Sequence, residues 1–440
     1  MYSKRFRKPD MGLYEEAVKN CFRHKWRRND ILRFCEEYGG VDSRLIELEV
    51  LKDGNDFTVR QVAVRNIACM LSDVVEGIER GEEPEDMDPV VLRRRPDGIS
   101  GKMRDIALLC ILHQLLGHAE LLMIEPLVMA RLFPTQHASL PGRGQTKLKN
   151  QAHGYLLRES LGANFIRKTD VVHAYQTLMY SVIIRILKEE IPKARTAIAL
   201  MTYLGKLAPD GHLIIGGYLD AWLFNFAMSY PIADAYKLTY TRRGRTHRRA
   251  VRIEAYMDDF AIFASSIKNL KAVVKEIRRF CNNELGVDIR TTTGCVKMLS
   301  IEEEKRRKSL AKPSQRGVPM LDMAGYRVSR THVTIRRKVF RRARRQFLRA
   351  YEELEKDGTL MRYRAKKVIA YNGYVKQTDS RKLKEKYHVD ELMRTAKKVS
   401  RFYSVLNNRK RKEQMYDLFS REVKDSTRKD TDQDASGNAL

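Results

Sequence analysis

The stretch Ala255-Tyr256-Met257-Asp258-Asp259-Phe260-Ala261-Ile262-Phe263 decides how this chain is read. Two adjacent carboxylates sit between two short runs of β-formers, the pattern of a tight hairpin with its acids at the tip. Aspartate is costly beside an apolar core unless a cation meets it. It is also a common turn residue, so the stretch alone reads equally well as a surface turn. The rest of the chain bears on that choice. Lys and Arg number 84 against 55 Asp and Glu, a net charge of +29 over 440 residues. That excess goes beyond what solubility requires and points to a polyanionic partner, with nucleic acid favoured over a membrane.

The length allows two or three domains with a large buried core, and 43% hydrophobic residues imply that most of it folds. No apolar run is long enough to span a bilayer. The basic start, Met1 to Lys8, is followed by no apolar segment, which argues against a secretory signal and for the cytoplasm. Cys21, Cys35, Cys69, Cys110, Cys281 and Cys295 lack the paired spacing of a zinc site and read as reduced, mostly buried thiols.

Four segments are expected. Residues 1–89 read as a helical extension, broken at Gly39-Gly40 and ending in an acidic loop from Arg80 to Pro89. Residues 90–335 alternate helix and strand. Basic strands flank a turn at Asp97-Gly98 and Gly101, and Ile106 to Met129 forms one or two buried helices in which His113 and His118 are packed rather than metal-bound. Leu178 to Leu187 and Leu270 to Leu285 read as helices, the latter capped by Gly286. A glycine turn at Gly216-Gly217 feeds a buried helix to Tyr230, and Thr239 to Arg252 forms a basic hairpin. Val287 to Ile289 reads as a strand, Glu302 to Arg316 as a charged loop, and Leu321 to Ile335 as a small hairpin. In residues 336–423, Phe340, Ala343, Phe347, Tyr351 and Leu354 share one helical face while Arg341, Arg344, Arg345 and their neighbours cover the rest, as in a helix laid along phosphates. The polar tail, 424–440, reads as disordered.

A second acid, Asp170, ends the run Phe165-Ile166-Arg167-Lys168-Thr169-Asp170. Alone it reads as a helix cap; facing a second carboxylate it becomes a site. Clustered carboxylates repel unless cations sit among them, and Mg²⁺, or Mn²⁺ in its place, suits one or two carboxylates plus phosphate oxygens. The loop Leu140-Pro141-Gly142-Arg143-Gly144-Gln145-Thr146-Lys147 lets backbone amides approach an anion and adds Arg143 and Lys147, although it lacks the ending of a Walker A loop. An acidic centre in a basic chain suggests a polymerase or a nuclease.

Tyr256-Met257-Asp258-Asp259 resembles the Y-x-D-D box of reverse transcriptases, and Asp170-Val171-Val172-His173-Ala174-Tyr175 resembles their first acidic motif. The resemblance covers roughly residues 90 to 400 and is to the bacterial retroelement group: retron, diversity-generating and defence-associated enzymes. It implies an α+β right-hand polymerase with fingers, a ferredoxin-like palm and a helical thumb. It implies metal ligation by Asp170, the Val171 carbonyl and Asp258, with Asp259 in support. Tyr175 would be the steric gate against a ribose 2′-hydroxyl. Arg143, Lys147, Gly216 and Tyr256 would meet the nucleotide. Gly325 and Tyr326 of a primer-grip-like hairpin, with Arg341, Arg344 and Arg345, would meet nucleic acid, and Asn372 to Lys376 is similar to a thumb segment. Ile215-Gly216 and Asp220-Ala221 depart from the family's usual residues there. No RNase H or HNH segment is seen. The implied partners are an RNA template or structured noncoding RNA, deoxynucleotides and a DNA product, and the extra N-terminal helices favour a role in antiphage defence. Alternatives are a diversity-generating enzyme, a template-independent or protein-primed DNA polymerase, and a non-catalytic maturase-like RNA scaffold.

Overall fold

A computed structural model describes residues 5–51, 58–85, 87–96, 103–290, 294–310, 317–410 and 413. The basic start before residue 5, the turn around Asp97-Gly98 and Gly101, and the polar tail lie outside the described residues. The chain is a mixed helix and sheet protein of the α+β class, and no described helix is long and apolar enough to cross a membrane. It packs as two compact units, each assembled from separated stretches: Met1–Cys21 with Ala68–Arg341 and Tyr374–Ser380, and Phe22–Ile67 with Arg342–Gly373 and Arg381–Leu440.

The N-terminal region is helical as read: α1 (Met11–Phe22), α2 (Asn29–Glu37), α3 (Ser43–Leu51) and α4 (Thr58–Arg80). Gly40 stands at φ 62° in the break after α2, a left-handed position that suits glycine. The two basic strands, β1 (Val91–Pro96) and β2 (Met103–Leu108), pair antiparallel. Ile106 to Leu108 therefore belong to a strand, and the buried helix expected from Ile106 is a single one, α5 (Ile111–Arg131). His113 is buried in it, and His118 stacks on Tyr218 with ring centroids 4.2 Å apart.

Next come α6 (Gln145–Leu156), β3 (Phe165–Asp170), a short α7 (Ala174–Thr177), α8 (Tyr180–Glu190), α9 (Arg195–Leu207) and α10 (Tyr218–Lys237). The basic hairpin is β4 (Thr239–Arg242) with β5 (Arg245–Arg248). β6 (Arg252–Tyr256) and β7 (Asp259–Ala264) form the central hairpin, followed by α11 (Ile267–Phe280) and, past a further turn, Gly286 in the left-handed region. β8 (Cys295–Lys297) closes a four-stranded antiparallel sheet of order β6-β7-β3-β8. Val287 to Ile289 adds only an isolated bridge, Ile289 to Val171.

The charged stretch after Ser300 is not a loop but α12 (Ile301–Ser309). The Ser300 hydroxyl accepts the Glu303 amide at 3.1 Å, Glu302 to Glu304 fill the first turn and Arg306 to Lys308 the last, so both ends of the helix dipole are met. The expected small hairpin is a three-stranded sheet, β9 (Leu321–Met323), β10 (Tyr326–Val328) and β11 (Val333–Ile335). One core joins it to α6 and to one face of the larger sheet through Leu148, Leu156, Ile166, Phe263, Leu321 and Val328. α11 packs on β7 and β3 and against α10. Phe260, Ile262 and Phe263 are fully enclosed, each contributing roughly 1.5–3 kcal/mol of burial.

The chain then runs through α13 (Arg337–Asp357), α14 (Arg362–Lys376), α15 (Arg381–Lys386) and a helical stretch 389–410. Ala343 and Phe347 are buried on α13, while Arg341, Arg344 and Arg345 are exposed. In the second unit Arg27 donates to Asn408 at 2.9 Å, tying early sequence to late. Cys21, Cys35 and Cys281 are buried, whereas Cys69 and Cys295 are exposed, contrary to the sequence reading for those two.

Candidate active site

The residues that bring the acids together are strand residues. β3 and β7 run antiparallel in a register that sets Asp170 directly opposite Asp259. β6 and β7 pair Tyr256 with Asp259, leaving Met257-Asp258 as the turn. The Val171 amide donates to the Asp258 carbonyl at 2.9 Å and fixes the turn against the end of β3. Three aspartates from distant stretches thus meet at one end of the sheet.

Like charges directly opposite on a sheet destabilise it. Two cations offset this: Lys168 Nζ lies 2.9 Å from Asp259, and Arg290 Nε 3.6 Å from Asp170. Arg290 is held in place by its amide, which donates to the Asp170 carbonyl at 2.8 Å, and by the Thr169 hydroxyl, which donates to the Arg290 carbonyl. Asp258 stands outside both pairs. Its residue is exposed at the hairpin tip, yet protein surrounds much of the carboxylate. Partial dehydration first, and then the charges of Asp259 and Asp170, push that carboxyl above the ordinary aspartate range.

Among the described residues no group of three or more His, Cys, Asp and Glu side chains is arranged to hold a metal ion. Two of the three aspartates are paired with Lys168 and Arg290. The donor set itself suits Mg²⁺. That ion takes one or two carboxylates together with phosphate oxygens rather than an all-protein cage. The raised carboxyl of Asp258 marks negative charge that a further cation would favour.

The turn is strained by design of its position rather than its residue. A two-residue hairpin turn needs positive φ at its first central position, usually glycine. Met257 adopts φ 52° there, a left-handed conformation that costs a side-chain-bearing residue roughly 1–2 kcal/mol. Its sulfur is gripped from two sides, by the Tyr175 hydroxyl at 3.8 Å and the Asn225 side-chain amide at 3.5 Å. Asn225 Nδ2 also reaches the carbonyls of Ala138 (3.1 Å) and Ala221 (2.8 Å), and Gln136 donates to the Asn225 carbonyl. Tyr175 lies flat on Phe224, centroids 5.4 Å apart, and burial raises its phenol far above the usual range. Sequence reasoning passed over Asn225 and Gln136. The available signal was a lone amide in the apolar run from Trp222 to Met228, which once buried must find partners.

The other expected residues divide. Tyr256 is half-buried and hydrogen-bonds to Gln145. Lys147 is exposed on α6. Arg143 turns inward instead of presenting an open cation: its Nη1 donates to the carbonyls of Phe133 (2.6 Å) and Gln136 (2.8 Å). Gly216 is required by packing, since at φ 114° a Cβ would lie 3.0 Å from the Ala107 carbonyl of β2. Gly325 leaves room for Tyr374, whose ring would stand 2.6 Å from a Cβ. Tyr326 is a core residue with 3% exposure, so its ring cannot stack on a nucleic acid; the apolar environment between α6 and the small sheet claims it. Behind β6 lies a further pair missed in the sequence, the fully buried His137 Nε2 at 2.6 Å from Glu254, which Arg252 also contacts.

Asp220, just after the Gly216-Gly217 turn, is buried on α10. It accepts hydrogen bonds from the Tyr180 hydroxyl and the Ile214 amide, each at 2.9 Å. Dehydration outweighs those bonds and lifts its carboxyl from 3.8 to about 6. A raised folded-state value favours the protonated form. The stability it confers is therefore full below pH 3.8 and lost as pH rises through about 6. Asp220→Asn keeps an acceptor oxygen and removes the charge. It is expected to raise unfolding free energy at pH 7.5 by on the order of 2–3 kcal/mol and to flatten the pH dependence between 4 and 6, measured by urea denaturation across that range. A variant no more stable than the parent at pH 7.5 would refute this.

No protein-family model matches the chain, and none of the curated proteins matches it.

Proposed function

We propose that the chain is an RNA-directed DNA polymerase that adds deoxynucleotides to a 3′ end, working with a structured RNA as template or primer. One juxtaposition carries the proposal: Asp170 at the end of β3 faces Asp259 beside Asp258 at the hairpin tip, on a sheet whose strands and helices connect as β-α-β-β-α-β. That connection order is the one expected of a ferredoxin-like palm. The net charge of +29 and the exposed arginines of α13 suit a phosphate backbone.

In this reading Asp170, Asp258 and the Val171 carbonyl would hold Mg²⁺, with Asp259 in support. When bound, the metal supplies a lowered pKa for an attacking hydroxyl and neutralisation of the leaving pyrophosphate. Lys168 and Arg290 keep the acids tolerable to one another. Asn225 and Tyr175 keep Met257, and with it Asp258, in one conformation. The Tyr175 ring, supported by Phe224, closes the floor beneath the turn and bars a 2′-hydroxyl.

The test is primer extension on a defined RNA template with labelled deoxynucleotides. A product complementary to the template is expected. No incorporation with either Mg²⁺ or Mn²⁺, or incorporation that survives removal of the RNA, would refute the proposal. Tyr175→Val opens the floor and is expected to raise ribonucleotide use relative to deoxynucleotide by at least about tenfold, the equivalent of about 1.4 kcal/mol. Unchanged sugar discrimination would take Tyr175 out of that role.

A further inference from the structure

A cavity of about 760 Å³ opens in the first unit where α6, the end of α10 and the entry to β6 converge. No carboxylate is among the described residues lining it. Its walls include the rings of Tyr155 and Tyr236 and the guanidinium groups of Arg158, Arg248 and Arg252. Both tyrosines are anchored through their hydroxyls: Tyr155 donates to the Val251 carbonyl at 3.2 Å, and Tyr236 accepts the Ile253 amide at 2.8 Å. Arg252 lies 4.9 Å above the Tyr155 ring and donates to Gln151 at 2.9 Å. Arg158 and Arg248 are exposed and meet no acid among the described residues.

Thr135 is also in the lining. It is 8% exposed, and its hydroxyl has no hydrogen-bond partner. An unpartnered buried hydroxyl is unfavourable, but this oxygen is closed to solvent, so recognition in the cavity rests on its rings and guanidinium groups. Aromatic walls and clustered guanidinium groups together recognise a flat heterocycle bearing phosphate. Guanidinium groups bind phosphate oxygens in pairs, and π faces take a base without reading its identity. The volume falls within the range of small-molecule sites.

We propose that this cavity binds a free nucleoside polyphosphate, its base against the tyrosine walls and its phosphates on Arg158 and Arg248, apart from the three-aspartate site. The strap that carries Thr135 is hydrogen-bonded to β6: the Ala255 amide donates to the Thr135 carbonyl at 2.9 Å, and the His137 amide donates to the Ala255 carbonyl at 3.0 Å. A ligand here would bear on the strand that leads into the Met257-Asp258 turn.

The proposal does not depend on the polymerase reading, because it is tested by binding alone. The probe is ATP carrying an N-methylanthraniloyl fluorophore on its ribose, titrated in EDTA so that no divalent metal supports the aspartate site. Saturable binding is expected, weakened at least tenfold by the double substitution Arg158→Ala with Arg248→Ala and unchanged by Asp258→Asn. Circular dichroism melting of each variant separates lost binding from lost fold. Unlabelled ATP should displace the probe much better than inorganic tripolyphosphate. Absence of binding, equal competition by tripolyphosphate, insensitivity to the arginine substitutions, or loss on Asp258→Asn would each overturn it. Displacement by single-stranded oligonucleotide in preference to ATP would overturn the assignment to a free nucleotide.

Discussion

Asp258→Asn is expected to lower templated deoxynucleotide incorporation on the order of a thousandfold while leaving the protein at least as stable as the parent. On the proposed reading, the activity loss follows from removing a metal ligand and a charge from a site where a bound metal would contribute several kcal/mol of charge stabilisation, each 1.4 kcal/mol being tenfold in rate. The stability follows from electrostatics. Asp258 is the acid with no ion pair among the described residues, and its carboxyl is raised by partial dehydration and by Asp259 and Asp170, which outweigh the opposing charge of Arg104. A raised folded-state value means that the ionised group opposes folding at neutral pH, with its favourable contribution present at low pH and lost as pH rises through the folded-state value. An amide in its place removes a like charge and keeps the shape. Asp170→Asn should be equally inactive but less benign, because it strips Arg290 of its partner. The measurement pairs single-nucleotide extension with urea denaturation at pH 7.5. Activity within tenfold of the parent would remove Asp258 from the chemistry. A large drop in stability would show that the loss is structural.

The hairpin and its acids are legible because two short runs of β-formers bracket the aspartates and β7 is apolar on both faces, as a central strand must be. The meeting of Asp170 with Asp259 was legible only by resemblance, since register between strands so far apart in sequence leaves no local mark. Two misses had local marks. Ser300-Ile301-Glu302-Glu303 is a capping box, and charge density hid it because the helix has little apolar face. α9 places Ala197, Leu200, Met201 and Leu204 at helical spacing and buries all four, yet it follows no recognisable motif and was passed over. Arg143 and Tyr326 make contacts that their sequence setting does not reveal, for a different reason. An arginine in a glycine loop and a tyrosine in a hairpin look the same in sequence whether they face a ligand or the interior, and here carbonyls and core contacts claim them.

The same ambiguity makes Arg330 the position of largest expected effect on stability. In the sequence it is one more cation of 84; in the fold it is 2% exposed and serves no polyanion. Its guanidinium donates to the carbonyls of Leu299 (2.7 Å), Leu156 (2.6 Å) and Ala163 (2.9 Å), joining the end of α6, the entry to β3 and the start of α12. Its amide donates to the fully buried Glu304 at 3.0 Å, and Glu304 also accepts from the amide and hydroxyl of Thr331. Arg330→Met preserves volume and the backbone contact to Glu304 but leaves three buried carbonyls without donors. With roughly 1–3 kcal/mol for each unmet buried group and part of it recovered by water or relaxation, a loss on the order of 3–5 kcal/mol is expected, the magnitude seen when a buried charge network is broken. Arg330→Lys should fall between, since one ammonium cannot serve three separated carbonyls in the fixed fork geometry. Urea denaturation measures both. A methionine variant within about 0.5 kcal/mol of the parent, the range of ordinary surface substitutions, would mean that these carbonyls find other donors. Ala163 leads directly into β3 and so to Asp170, so lost incorporation by the methionine variant should track the unfolded fraction and recover at temperatures where the fold is restored, which no substitution of Asp258 would do.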